Sequence, residues 1–151
     1  MRYAKVAFIV LAFATALVAA DPFVGTWKLN PAKSKYKTGT PPKEQTVTYS
    51  EEGSDLHAVV KGTSSDGQPI SVHTSAPLKG GTGKVIEGPY DGVSAKRMSS
   101  TRLETSLSKG GKVVFTVRST VSSDGKTMTT ALKGTGPVGQ AVDGTNVMEK
   151  Q

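Results

Sequence analysis

The chain has no cysteine, only two histidines, one tryptophan, and 6% aromatic residues over 151 positions. Lack of cysteine excludes a disulfide scaffold, a thiolate nucleophile, a thiolate metal centre and a lipid-bearing cysteine. Nor is there a Gly-x-Ser-x-Gly elbow or a base placed by a recognisable motif. The glycine-rich LKGGTGK at 78–84 lacks P-loop spacing and no helix signal follows it, so it reads as a flexible hairpin. Glu51-Glu52 is an adjacent pair whose side chains diverge on a strand or lie in a turn, unlike two carboxylates facing each other across a bond. No catalytic residue, metal or cofactor is therefore expected, and the chain is not expected to be an enzyme. Sustained apolar spacing of 3.6 is also missing beyond residue 20, which argues against helices.

One long apolar run is present, from Val6 to Val18, after Arg2 and Lys5 and before Ala19-Ala20. That is the layout of a secretory signal peptide. As a helix the run would reach about 20 Å at 1.5 Å per residue, short of a bilayer core of about 30 Å. Residues 1–20 are assigned as a leader cleaved after Ala20, and residues 21–151 as one domain. The expected compartment is secreted or periplasmic, with no integral membrane segment in the mature chain. Loss of Arg2 and Lys5 leaves 17 basic residues against 12 acidic ones. They are scattered except for Lys33, Lys35 and Lys37 in PAKSKYK, which reads as a solvated loop. A nucleic-acid-binding chain would concentrate its charge, so no nucleic-acid partner is expected.

What is abundant is short runs of Val, Thr, Ile and Tyr with period-2 alternation, punctuated by Gly, Asp, Ser and Pro. About ten strands are expected, near 23–29, 45–51, 55–63, 69–76, 83–88, 93–98, 101–108, 112–122, 126–134 and 142–149. One strand per dozen residues is the rhythm of an all-β antiparallel meander, closed as a barrel or folded as a sandwich.

Faces can be aligned across turns. An Asp124-Gly125 type I′ turn sets Val121 opposite Met128 and Val117 opposite Leu132. A three-residue loop over Lys109, Gly110 and Gly111 would set Leu107 opposite Val113 and Leu103 opposite Val117. In the TSSDGQPISVHTS stretch, an odd-numbered loop such as Asp66-Gly67-Gln68 would align Leu56, Ala58 and Val60 with Ile70, Val72 and Thr74. That register puts His73 opposite Lys61, about 13 Å from His57 at roughly 3.3 Å per residue. Both histidines would face solvent, too far apart to share one metal.

The opening strand FVGTWKL carries Gly25-Thr26-Trp27, and the chain ends in NVMEKQ. With the meander between them, these ends resemble the calycin superfamily, the lipocalins and fatty-acid-binding proteins. The resemblance implies an up-and-down β-barrel of about 8–10 strands with Trp27 closing its floor. Two departures stand out. The stretch NPAKSKYKTGTPPKEQ, where fatty-acid-binding proteins carry two helices, has four helix-breaking residues and no apolar stripe, so it reads as an extended loop. The positions matching the carboxylate-holding Arg and Tyr of those proteins are Asn146 and Met148.

The expected interior is Phe23, Trp27, Leu29, Val47, Tyr49, Leu56, Ala58, Val60, Ile70, Val72, Leu103, Leu107, Val113, Phe115, Val117, Met128, Leu132 and Met148. Thr74, Thr101, Thr105 and Thr130 mix in, which suits a wet cavity better than a dry core. Trp27, Tyr49, Arg97, Phe115, Met128 and Met148 are the candidate ligand-binding residues, with Arg97 placed either inward beside Val93 and Ala95 or outward. The functional expectation is a monomeric binding protein for a small apolar or amphipathic ligand. The alternative is a non-catalytic structural or adaptor domain of the bacterial envelope.

Overall fold

The computed structural model of the protein describes residues 19–151. The leader assigned to 1–20 lies outside the described residues through position 18. Twelve strands and no helix occur among the described residues: β1 (Gly25–Leu29), β2 (Lys35–Thr38), β3 (Glu44–Glu52), β4 (Asp55–Thr63), β5 (Pro69–Pro77), β6 (Gly81–Thr82), β7 (Lys84–Glu87), β8 (Gly92–Ser99), β9 (Arg102–Lys109), β10 (Lys112–Val121), β11 (Thr127–Thr135) and β12 (Ala141–Lys150). They form a single sheet in the order β6-β8-β9-β10-β11-β12-β1-β3-β4-β5-β7, with β2 paired to β12 off that path. The sheet curls until β5 and β7 lie beside β8. The result is an all-β, antiparallel, nearly closed barrel, which leaves little unpaired edge.

The closed end is solid. Phe23 and Trp27 are fully buried, and Leu29, Val47, Tyr49, Leu56, Leu103, Val121, Met128 and Met148 pack around them. The indole N–H of Trp27 donates to the Phe23 carbonyl at 2.8 Å, so the polar edge of the ring is satisfied inside the core. Gly25 has φ +128°, and a Cβ there would lie 2.8 Å from Lys150 Cε. The space left by Gly25 is thus taken by a side chain, which holds Lys150 Nζ 5.2 Å from the Trp27 ring centroid.

The PAKSKYK segment is not all loop. After the turn at Asn30–Ser34, residues Lys35–Thr38 form β2 against β12. Pro31 cannot donate to a ladder, so β1 breaks there. Ser34 repairs the gap: its hydroxyl donates to the Asn30 carbonyl at 2.9 Å and accepts the Val147 N–H at 3.0 Å. Lys35 and Lys37 point out while Tyr36 turns inward.

Three turns decide registers. Val121 does pair with Met128 and Val117 with Leu132. The turn is nonetheless not type I′, because Asp124 lacks the positive φ that its first central position needs. Gly125 N–H closes onto the Ser122 carbonyl at 2.9 Å, and the Asp124 carboxylate accepts from Ser122 Oγ at 2.6 Å. The type I′ residues are instead Gly110 and Gly111, with φ of +59° and +75°. They place Lys112 opposite Lys109, and a bulge at Val114 then sets Phe115 opposite Leu107 and Ser119 opposite Leu103. The two-residue turn pairs Val113 with Ser108 and faces it outward, 59% exposed, so its expected inward position is corrected.

Between β4 and β5 the loop is odd-numbered, but it is Ser65-Asp66-Gly67. Its register pairs Val59 with His73 and His57 with Ser75. The two histidines are therefore diagonal neighbours, and the expected separation of about 13 Å is corrected: His57 Nδ1 lies 3.0 Å from His73 Nε2. The shift has a local cause, since Ser64 fixes the turn. Its carbonyl accepts from Gly67 N–H, its hydroxyl accepts Gln68 N–H, and it also bonds the Asp66 carboxylate.

Candidate ligand-binding cavity

Above the solid floor the barrel is hollow. A cavity of about 110 Å³ occupies the half nearer the β2–β3 and β11–β12 connections. Its apolar wall includes Val47, Val60, Ile70, Val72, Phe115 and Val142, and its base is Met128 and Met148. A water needs on the order of 10–15 Å³ by a comparable measure, and an apolar cavity of about 150 Å³ accepts benzene. The space thus fits a few waters or a ligand near the size of one aromatic ring.

The polar groups on the wall are uncharged. No Lys, Arg, His, Asp or Glu lines the cavity among the described residues. From β2, Tyr36 donates its hydroxyl proton to Asn146 Oδ1 on β12 at 2.7 Å. Asn146 is 1% exposed, so this pair is held inside the barrel wall. Ser119 on β10 and Thr130 on β11 share a hydroxyl contact of 3.2 Å. Tyr49 reaches toward Ser119 from β3. Burial pushes the Tyr36 and Tyr49 phenols up to about 12, against the bonds to Asn146 and Ser119 that pull them down. Both phenols stay neutral far above physiological pH.

Tyr90 closes one side of the mouth. It leaves the β7–β8 connection, is 7% exposed, and stacks on Phe115 with centroids 6.3 Å apart and planes 2° apart. Its hydroxyl donates to the Thr135 carbonyl at 3.0 Å, tying the 88–91 segment to the end of β11. Desolvation raises its pKa strongly.

Of the six candidate ligand-binding residues, the structure brings Tyr49, Phe115, Met128 and Met148 together on the cavity wall. Trp27 lies in the floor beneath. Arg97 lies at the closed end, outside the lining. Its Nη2 meets Asp21 Oδ2 at 2.7 Å and the Ser100 carbonyl at 2.7 Å, and its Nε donates to the Ser99 carbonyl at 2.9 Å. The guanidinium sits 5.0 Å from the Phe23 centroid, and Nη1 is buried without a partner among the described residues. Arg97 is thus a clasp that fastens Asp21 across the barrel floor.

Sequence reasoning missed Tyr36, Tyr90 and Asn146 as wall residues. For Tyr36 a signal existed: Lys-Tyr-Lys alternates polar, aromatic, polar within PAKSKYK. Asn146 carried one through its place opposite the ligand-holding Arg in the resembled family. Tyr90 follows Gly88-Pro89 and gives no periodic cue.

No protein-family model matches the chain, and none of the curated proteins compared with it is similar. Among solved structures, three designed β-barrels are similar in shape. A redesigned β-barrel, mFAP1, bound to DFHBI is 13% identical with a TM-score of 0.45, covering 85% of this chain and 95% of that one. A fluorescence-activating β-barrel designed de novo is 18% identical with a TM-score of 0.44, covering 87% and 96%. EF1p2_mFAP2b bound to DFHBI is 16% identical with a TM-score of 0.47, covering 88% and 97%.

Proposed function

We propose that the protein is a secreted or periplasmic, calycin-like binding module, monomeric and non-enzymatic, that holds a small neutral ligand in the barrel. One observation carries the reading: a largely apolar cavity whose lining holds no charged side chain, with Asn146 at its wall. Burying a carboxylate here would leave it without a cation, at a cost of several kcal/mol. A neutral molecule bearing one carbonyl or hydroxyl acceptor meets no such cost. Its apolar body would lie against Phe115, Met128 and Met148, and its acceptor would take the Asn146 N–H. The volume favours roughly six to ten non-hydrogen atoms.

The four methionines supply the test. Met128 and Met148 line the cavity, whereas Met98 is 57% exposed. With methyl-labelled methionine, titration with benzaldehyde or benzyl alcohol should shift the Met128 and Met148 signals saturably and leave Met98 still. Native mass spectrometry of protein from its own host should reveal a neutral passenger of that size. Absence of both effects up to millimolar ligand would end the proposal, and a protein or glycan recovered instead would favour the adaptor alternative.

A further inference from the structure

We propose that His57 and His73 form a surface site for a late first-row divalent cation, with Cu²⁺ the tightest occupant. The site lies on the outer face of the barrel, on the opposite side of the sheet from the cavity, and is independent of ligand binding.

The register of β4 and β5 creates it. His57 sits opposite Ser75 and His73 opposite Val59, so the two rings lean toward each other across one diagonal of the ladder. Their centroids are 5.3 Å apart with planes inclined by 54°. His57 Nδ1 and His73 Nε2 are 3.0 Å apart, sharing one proton. Replacing that proton by a cation requires both rings to swing, because their lone pairs face each other along the line between the two nitrogens. With metal–nitrogen bonds of about 2.0–2.1 Å, the side chains must open until both lone pairs meet on one point. Imidazole nitrogen suits Cu²⁺, Ni²⁺ and Zn²⁺, and Cu²⁺ stands highest in the affinity order of the first-row divalent metals.

The surroundings favour a cation on balance. On the far side of His57, Glu52 Oε2 lies 3.3 Å from Nε2, an arrangement that orients the ring and makes the inner nitrogen a better donor. Glu87 pairs with His73 across β5 and β7, while Asp55 lies within 3.4 Å of Ser75 Oγ. Against these stand Lys61, already engaged by Glu87 at 3.1 Å, and Lys84, which pairs with Ser75. No group of three or more His, Asp or Glu is set for a metal among the described residues. The chain thus offers two nitrogens, and water completes the coordination.

The experiment is titration of the full-length protein with Cu²⁺ alone, followed by electron paramagnetic resonance and histidine ring NMR. One Cu²⁺ per chain is expected, with nitrogen hyperfine structure and first broadening at the His57 and His73 ring signals. Because the chain holds only two histidines, a single variant assigns both. His57→Ala and His73→Ala should each weaken binding by about tenfold or more, since either removes half of the protein ligands. Unchanged affinity in the double variant would overturn the proposal. So would broadening in the wild-type protein that begins away from these rings, a readout that stands even if a variant fails to fold.

Discussion

Removing the Tyr36 hydroxyl tests whether the cavity wall depends on the pair it forms with Asn146. In Tyr36→Phe, Asn146 Oδ1 loses its donor at 2.7 Å while the residue stays 1% exposed. An unsatisfied buried acceptor costs about 1–3 kcal/mol. The adjacent cavity can admit water to that oxygen, so the loss should fall near the lower end, about 1–1.5 kcal/mol. Asn146→Leu strands the Tyr36 hydroxyl instead, but Tyr36 is only half-buried, and roughly 0.5–1 kcal/mol is expected. Tyr36→Phe with Asn146→Leu removes both partners together and should cost less than the two losses added, leaving a coupling of about 1 kcal/mol. Urea unfolding measures all four corners, with the slope unchanged if only the native state is affected. In a domain this size each kcal/mol moves Tm by about 3–5 °C. Additive effects within about 0.3 kcal/mol would refute the reasoning, because they would mean the two groups do not satisfy each other.

Three further outcomes follow from the packing. Gly134→Ala should destabilise by roughly 3 kcal/mol or more in thermal unfolding, since a Cβ there would lie 2.1 Å from the Val114 carbonyl oxygen and φ is +119°. Val113→Ala should change stability by less than about 0.5 kcal/mol, because the Gly110-Gly111 turn faces it outward, whereas Phe115→Ala beyond the bulge should cost about 3–5 kcal/mol; similar losses at both sites would contradict that register. Alkaline titration should weaken the fold: with Tyr49 raised from 10.0 to about 12, the unfolded chain sheds its phenolic proton before the folded one does. Stability is then full below pH 10 and falls as pH rises toward 12, by on the order of 2–3 kcal/mol for enclosed Tyr49 and less for Tyr36, which reaches solvent. Urea midpoints tracked against phenolate absorbance check it, and a midpoint flat over that interval would rule it out.

Strand identity was legible because alternation survives wherever one face is buried. Trp27, Leu56, Ile70, Phe115, Met128 and Met148 each fell on the inner side as the period-2 pattern places them. Register was less legible, because it depends on turn chemistry that a glycine position underdetermines. Asp-Gly at 124–125 and at 66–67 looks like the same two-residue signal, yet Ser122 and Ser64 capture the neighbouring N–H groups and pull each turn into a longer form. In one hairpin the pairing was unaffected; in the other it slid by two residues, which kept every face and moved the histidines together. The bulge at Val114 was hidden for a related reason. Three consecutive valine and phenylalanine side chains look alike to a pattern, and only the Gly110-Gly111 turn forces one of them outward. β2 escaped because four residues between Ser34 and Gly39 carry too short an alternation, although its single inward residue completes the cavity wall.

The hollow half of the barrel is itself an energetic statement. Unfilled volume in a core costs on the order of 24 cal/mol per Å³, so a space of 110 Å³ weakens the fold by roughly 2–3 kcal/mol. A domain stable by only about 5–15 kcal/mol feels such a loss. The floor can bear it, since Phe23, Trp27, Met128 and Met148 are packed to near-zero exposure and the Arg97–Asp21 clasp ties the chain's entry to β8. Nothing in the topology requires the space: an extra methylene at Val72 or Val142 would begin to close it without touching a turn or a ladder. A ligand at about a hundred times its Kd stabilises the folded state by about 2.7 kcal/mol, the same size as the deficit. The solid floor keeps the empty barrel folded, and a ligand in the upper half would offset the cost of keeping it open.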